Sequence, residues 1–427
     1  MENTLDAALP IVEIKTPVVA ELQVIIDADE GMRIALLASL NVACIKANNT
    51  LDKDLYKAMN KELNGNAWPD TIEKYFNYLE QYVKMVPNES LSAEYPEAWK
   101  SSNTQNGYNQ KVYDFLCQFY WLIDQKVPDT ELSMQSFEKF ANWLVKFAQA
   151  WGSFLGTTAS LTPESLKSFK DNPMYNFKLY ADNESSWTTF NEFFYREFNG
   201  AAAGTKKSPL RPITDPTNNN TIVAPADCTY KENYPIDANG NVIDNEGAKT
   251  SVSLKNTHSI GNVKELLDGS DYAEAFNGGT FVHYFLGPFD YHRFHTPVSG
   301  KILEIKKILG KVFLNVDLID GQWDAPDGAG EGYEFSQARG LVIMDTVELG
   351  KVAILPIGMC QVSGVLMNTD LKDKDVVKGQ EFGKFQFGGS DIIMVFEKKP
   401  ADLYMYKNDP GHNPIHFQYG QTAVLAI

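Results

Sequence analysis

Residues 287–300 read GPFDYHRFHTPVSG and place Asp290, His292, Arg293 and His295 within six positions. Such a set suits proton transfer or metal binding. Side chains alternate along a strand, so His292 and His295, three apart, face opposite ways unless a turn at Pro297 reunites them. A third ligand at a recognisable spacing is missing, and no metal is expected here. A second segment, KGQEFGKFQFGGSDIIMVF at 378–396, sets Gly388, Gly389 and Ser390 directly before an apolar run. Ile392 stands where a nucleophile elbow needs its second glycine, and no phosphate-loop lysine follows. Taken alone, the segment is a tight glycine turn opening a strand. A third segment, VAPADCTY at 223–230, carries Asp227, alone a turn aspartate. Asp227, His295 and Ser390 together are the types that activate a hydroxyl nucleophile. A hydrolase triad is the generic reading, and spacing leaves open whether the three meet.

The elements that must position these residues change character near residue 200. Before it, VVAELQVIIDADEGMRIALLASL, DTIEKYFNYLEQYVKMV, QKVYDFLCQFYWLIDQKV and SFEKFANWLVKFAQAWGSFL repeat apolar residues every three or four positions, as helices do. Asp70 and Ser136 mark helix starts. Phe137, Phe140, Trp143, Leu144 and Phe147 form an aromatic stripe that reads as core. A Pro/Gly/Asn-rich stretch follows and reads as a linker over 201–220. Beyond it, TIVAPADCTY, GTFVHYFL, GKILEIKKI, KVFLNVDLI, GLVIMDTV, KVAILPIGMCQVSGVLM and SDIIMVFEK read as short strands, with one helix at NVKELLDG. The expected fold class is α+β: a helical domain over 1–200 and a β-rich, sandwich-like domain over 221–427. All six histidines lie in the second part. Its other two polar clusters carry no site. The loop DLIDGQWDAPDGAGEGYE at 317–334 lacks the regular acidic spacing of a calcium loop. His412 and His416 have Pro414 between them, which defeats helical ligand spacing.

Composition narrows the partners. The 427 residues are 44% hydrophobic and carry a formal net charge of −17. That charge disfavours nucleic acid and, on average, anionic bilayers. The N-terminus lacks a basic segment followed by an apolar run, which argues against a secretory signal, and no apolar stretch reaches membrane-spanning length. The four cysteines form no CxxC pair, so a disulfide framework is not expected and a cytoplasmic setting is the default.

LGPFDYHRFHTPVSG, FGKFQFGGS and VAPAD together resemble the phosphatidylserine decarboxylase family of pyruvoyl enzymes. FNEFFYREF at 190–198 resembles the family's entry motif, and GLVIMDTVELGKVAILPIGMCQVSGV at 340–365 its paired central strands. The resemblance runs over about residues 187–400 in order. The long helical first half is similar to soluble members, a fungal tryptophan decarboxylase among them. The resemblance implies that Ser390 attacks the Gly389 carbonyl, with His295 taking its proton and Asp227 orienting His295. Cleavage would leave a 1–389 β chain and a 390–427 α chain whose first residue, from Ser390, is the pyruvoyl cofactor. That group would form a Schiff base with the substrate amine and accept electrons as carbon dioxide leaves. His292 would reprotonate the carbon. The family name implies phosphatidylserine as substrate, with peripheral membrane association. The acidic charge and the long helical half lean instead toward a soluble, aromatic amino acid. A Ser-His-Asp hydrolase that never cuts itself and a non-enzymatic binding protein are the competing classes. Two departures stand out. Cys228 replaces the glycine usual after Pro-Ala-Asp, and Asp391 follows the serine, where it either raises the energy of the ester or holds the substrate ammonium.

Overall fold

The computed structural model describes residues 16–62, 68–100, 110–127, 130, 132–200, 210–243, 252–253, 259–325, 335–359, 364–406, 408 and 414–427. Helical periodicity is realised in α1 (Pro17–Asp27), α2 (Glu30–Thr50), α3 (Lys53–Glu62), α4 (Ile72–Tyr82), α5 (Lys111–Asp124), α6 (Glu138–Leu155), α7 (Pro163–Asp171) and α8 (Phe190–Phe194). The first apolar run is two helices, because the Asp29 carboxylate caps α2 by accepting from Met32 N–H at 3.1 Å. The start expected at Asp70 falls one residue later, at the capping hydroxyl of Thr71. That expected at Ser136 falls at Phe137, which makes no side-chain cap. Of the stripe, Phe140, Trp143, Leu144 and Phe147 on α6 are buried core as expected, while Phe137, at the helix start, is only partly buried against it.

The second half is antiparallel. Its strands are β1 (Thr221–Val223), β2 (Cys228–Pro235), β3 (Val252–Ser253), β4 (Ser259–Ile260), β5 (Thr280–Leu286), β6 (Arg293–His295), β7 (Gly300–Ile308), β8 (Asp317–Ile319) and β9 (Gln322–Asp324). They continue with β10 (Arg339–Thr346), β11 (Gly350–Met359), β12 (Val365–Met367), β13 (Asp375–Val376), β14 (Glu381–Phe385), β15 (Gly389–Phe396), β16 (Leu403–Met405), β17 (His416–Phe417) and β18 (Thr422–Ala426). The helix α9 (Val263–Leu266) interrupts them. Eight strands form one sheet in the order β13-β7-β10-β11-β15-β5-β2-β17. Two three-stranded sheets, β1-β18-β16 and β12-β14-β6, flank it, and β12 lies against β7, β10 and β11. The architecture is α+β, as expected.

KVFLNVDLI departs from expectation over its first six residues; only its last three form a strand, β8. It is apolar enough for a strand, and Val312, Phe313, Leu314 and Val316 are buried. Its backbone, however, bonds to side chains. Gln135 grips Leu314 through both N–H and carbonyl (3.1 and 2.9 Å), Gln337 donates to the Phe313 carbonyl, and Asp124 accepts from Val316 N–H. Buried backbone polar groups need partners, and here α5, the turn before α6 and Gln337 just ahead of β10 supply them. One hydrophobic core therefore runs from α1 through the face of the large sheet that carries Ile392, Met394 and Phe396. A second, smaller core covers the other face, with Ile343, Leu355, Ile393 and Val395. Of the linker stretch, 201–209 lies outside the described residues. Arg211 within it is buried and ion-paired instead of solvated.

Candidate active site

Ser390 is placed by the middle of the large sheet. In β15 it pairs with Gly358 of β11 on one side and Leu286 of β5 on the other, and it is fully buried. Gly388 enters the strand at φ 151°, a backbone conformation that side-chain-bearing residues rarely adopt. The glycine pair thus permits a sharp entry that puts the Ser390 hydroxyl at a strand end. Its Oγ reaches the Gly388 carbonyl only at 3.5 Å, too long for a strong hydrogen bond. Phe387, just before the glycines, is wedged among Trp151, Phe190 and Phe194, with ring centroids 5.1 to 5.3 Å away.

His295 ends β6. Its Nδ1 lies 3.1 Å from the Gly379 carbonyl, which can only accept, so Nδ1 carries the proton. Nε2 is then the basic nitrogen, and it accepts from the Tyr291 hydroxyl at 3.0 Å. Tyr419 stacks on the ring at 3.9 Å and also donates to the Gly379 carbonyl. Burial pushes the imidazole pKa down to about 3, despite the Gly379 carbonyl. His295 is a neutral base near pH 7.

Asp227 does not make the bond expected of it. In the uncut chain its carboxylate accepts from the Arg211 guanidinium at 3.1 and 3.4 Å and from Tyr419 N–H at 2.7 Å. Both ring nitrogens of His295 are engaged elsewhere, so the link between the two residues runs through Tyr419, whose backbone N–H bonds Asp227 and whose ring stacks on His295. The reason is burial: a desolvated carboxylate takes the nearest cation, and Arg211 stands beside it. Among the described residues, no hydrogen bond joins Asp227, His295 and Ser390 into a chain.

His292 precedes β6, fully buried, with its ring stacked on Phe194 of α8 at 3.8 Å. Neither ring nitrogen has a hydrogen-bond partner of good geometry. Burial, and then the Arg196 charge, hold it well below the usual histidine range, while the Phe194, Asp290 and Gly287 carbonyls offset part of this. Asp290 accepts from Gly287 N–H and pairs with His416 at 2.8 Å. Burial raises its pKa. Arg293 bridges Glu197 and Glu381. Cys228 is a buried thiol of the core, with its pKa pushed up by burial. Asp391 faces away from Ser390 because strand neighbours alternate. It meets His283 at 3.4 Å on the far side of the sheet, so neither role expected for it at the serine is open to its side chain.

Sequence reasoning missed Tyr291, Gly379, Tyr419 and Arg211. Tyr291 lies inside the histidine segment and was within reach. The others come from distant segments and only the fold brings them in. Among the described residues, no group of three His, Cys, Asp or Glu could hold a metal ion.

The chemical precursor of a pyruvoyl group is present: a buried serine hydroxyl following two glycines. Comparison with known proteins places this arrangement. The family profile for phosphatidylserine decarboxylase matches residues 190–424, which contain every residue of the site except the helical contacts before α8. A phosphatidylserine decarboxylase proenzyme of Fusobacterium nucleatum is 32% identical over 236 residues, 55% of this chain and 68% of that protein. One from Clostridium perfringens is 32% identical over 252 residues, 59% of this chain and 75% of that protein. Phosphatidylserine decarboxylase proenzyme 3 of Schizosaccharomyces pombe is 33% identical over 242 residues, 55% of this chain but 22% of that much longer protein. With its buried Gly-Gly-Ser strand entry and more than half its length matched, the chain belongs to the phosphatidylserine decarboxylase family of pyruvoyl-dependent carboxy-lyases.

Proposed function

We propose that the chain cuts itself between Gly389 and Ser390 and then converts phosphatidylserine to phosphatidylethanolamine, releasing carbon dioxide. The observation that carries this reading is the placement of Ser390: a buried serine at the start of β15, closely after Gly388 at φ 151°, inside the family match. The substrate follows from what the relatives are named. A free aromatic amino acid, toward which charge and composition lean, has no such support. Among the described residues, most aromatic rings of the helical half are packed in its core. Among the described residues no helix is long and apolar enough to cross a membrane.

The chain's own residues supply the steps. Ser390 Oγ adds to the Gly389 carbonyl carbon while its proton leaves, and the carbon–nitrogen bond breaks as that nitrogen is protonated, giving an ester. His295 Nε2 is the base; it must exchange its Tyr291 hydroxyl for the serine, or receive the serine proton through that hydroxyl. Loss of the residue-390 α-proton then expels the ester oxygen as the carboxylate of 1–389. Water replaces the remaining nitrogen, which departs as ammonia. The resulting pyruvoyl carbonyl supplies the electron acceptor for decarboxylation. His292 returns a proton to the substrate carbon, which requires it to be charged first, since burial keeps it neutral in the uncut chain.

The test is intact mass followed by product analysis. The purified protein should be two chains, 1–389 and 390–427, the smaller one blocked to Edman chemistry. It should form phosphatidylethanolamine from phosphatidylserine in mixed micelles. A chain that stays whole after long incubation refutes the self-cleavage. Amine formed from free tryptophan, phenylalanine or tyrosine, with none from the lipid, refutes the substrate.

A further inference from the structure

The start of β15 holds Ser390, which becomes a chain end under the proposed self-cleavage, and the role assigned below to its neighbour rests on that reading. Ser390, Ile392, Met394 and Phe396 share one face of the strand, and the last three enter the larger core. Ile393 and Val395 enter the second core, and alternation puts Asp391 with them. There Asp391 Oδ1 lies 3.4 Å from His283 Nε2, and neither side chain is exposed at all. His283 is in β5, opposite Ile393 and two positions from Phe285, the residue opposite Asp391. The two side chains therefore meet diagonally across the ladder. That second core, with Ile343, Ala353, Leu355, Ile357 and Val395, is an apolar layer in which a carboxylate and an imidazole are costly to bury, and Ile357 stands opposite Asp391 in the ladder. No step of cleavage or turnover uses them.

Position suggests what the pair does. In the uncut chain the start of β15 is held by its covalent link through Gly389, which is itself paired with Met359. After cleavage that link is gone. Residue 390 has also lost its nitrogen, and with it a backbone donor to the ladder. Strand ends without such ties fray. A slip of one residue would also turn position 390 to the opposite face of the sheet. Asp391 is the first residue of the new chain with a polar side chain, and any slip would pull it from His283 within an apolar layer.

We propose that the His283–Asp391 pair is a positioning clamp that fixes the register of the new chain end, so that the group at position 390 keeps the face on which Ser390 stood. The experiment compares Asp391→Ala, Asp391→Asn and His283→Ala with the wild type, each also made in an uncleavable Ser390→Ala chain. Cleavage should survive in all three single variants. In the cut Asp391→Ala enzyme, kcat should fall on the order of 10- to 100-fold with KM little changed, the scale of a misplaced reacting group. Asp391→Asn, which keeps a polar partner for His283, should recover part of the loss. The double Asp391→Ala/His283→Ala variant should be no worse than Asp391→Ala, because the two act as a unit. The readout independent of activity is amide hydrogen exchange over 391–395. It should quicken in the cut variants and stay at its wild-type rate in the uncut ones. Equal quickening in cut and uncut forms, wild-type kcat in Asp391→Ala, or failure of every variant to fold would mark the pair as ordinary architecture and overturn the proposal. A wild-type chain that never cuts overturns the functional reading itself, and the clamp with it.

Discussion

Burial of His295 makes a quantitative prediction about pH. The imidazole has an ordinary pKa of 6.5 and is pushed down to about 3 in the folded chain. Between those values the unfolded chain binds a proton that the folded chain does not. Stability from this group is therefore complete above about pH 6.5 and falls as the pH drops toward 3. Each pH unit in that window is worth about 1.4 kcal/mol, so the whole span approaches about 5 kcal/mol. The perturbation is His295→Asn, which can keep a donor toward the Gly379 carbonyl while removing the titrating ring. Both proteins carry Ser390→Ala so that only the uncut form is compared. Urea denaturation at pH 7.5, 6.5, 5.5 and 4.5 gives the unfolding free energy of each. Other buried groups titrate in the same range, but in the difference between the two proteins they cancel. Relative to the variant, wild type should lose about 1 kcal/mol or more per unit below pH 6. Curves that stay parallel from pH 7.5 to 4.5 would show that His295 is not held neutral by burial, and its assignment as a preformed base would fail.

Three further outcomes are expected from the same geometry. His295→Ala should block cleavage, whereas His292→Ala should still cut but lose decarboxylation by at least about 100-fold; gel analysis and carbon dioxide release separate the two, and the reverse pattern would show the histidines exchanged. Arg211→Met leaves the buried Asp227 carboxylate without its cation and should cost about 3–5 kcal/mol, with Arg211→Met/Asp227→Asn recovering much of it, both read by urea denaturation. Glu89, whose carboxyl burial raises to about 8, binds its proton more tightly folded than unfolded, so it favours the fold below about pH 4.5 and loses that contribution as the pH rises through 8; Glu89→Gln should therefore gain on wild type by about 1 kcal/mol per unit between pH 5 and 8, measured on the uncut chain.

How much of the fold and the site was legible in the sequence depends on where each interaction is encoded. Periodicity located the long helices, because a packed helix must repeat its apolar face every three or four residues. The strands β5, β7, β10, β11 and β15 were equally plain, each a β-branched run closed by glycine or a polar turn. The first six residues of KVFLNVDLI, ahead of β8, show the limit of that signal. Their hydrophobicity records burial, and burial says nothing of whether backbone bonds go to a strand or to Gln135, Gln337 and Asp124. The site divides in the same way. Ser390 and the two histidines stand in segments whose composition announces them. The partner of Asp227 comes from a stretch that composition marks as linker, and the acceptor that fixes the tautomer of His295 is a backbone carbonyl, which any residue type could provide.

The helical half bears on the chemistry through packing more than through any reacting group. Phe387, next to the glycine pair, is held by Trp151 from α6 and by Phe190 and Phe194 from α8. Phe194 also stacks on His292, so one ring touches both the segment before the proposed cut and the histidine proposed for turnover. Asn191 accepts weakly from Phe387 N–H at 3.4 Å and donates to the Gly152 carbonyl at 3.3 Å, tying the same segment to the end of α6. Gly388 can hold φ 151° only while its neighbours are fixed, since a glycine otherwise has more backbone freedom than any other residue. Under the proposed self-cleavage, the glycines allow the conformation from which Ser390 would attack, and the aromatic wedge would hold it. Helices α1 to α7 lie outside the matched family region, yet through Trp151 they reach the residue three before the serine. The two halves that composition separates near residue 200 are, at the site, one packed unit.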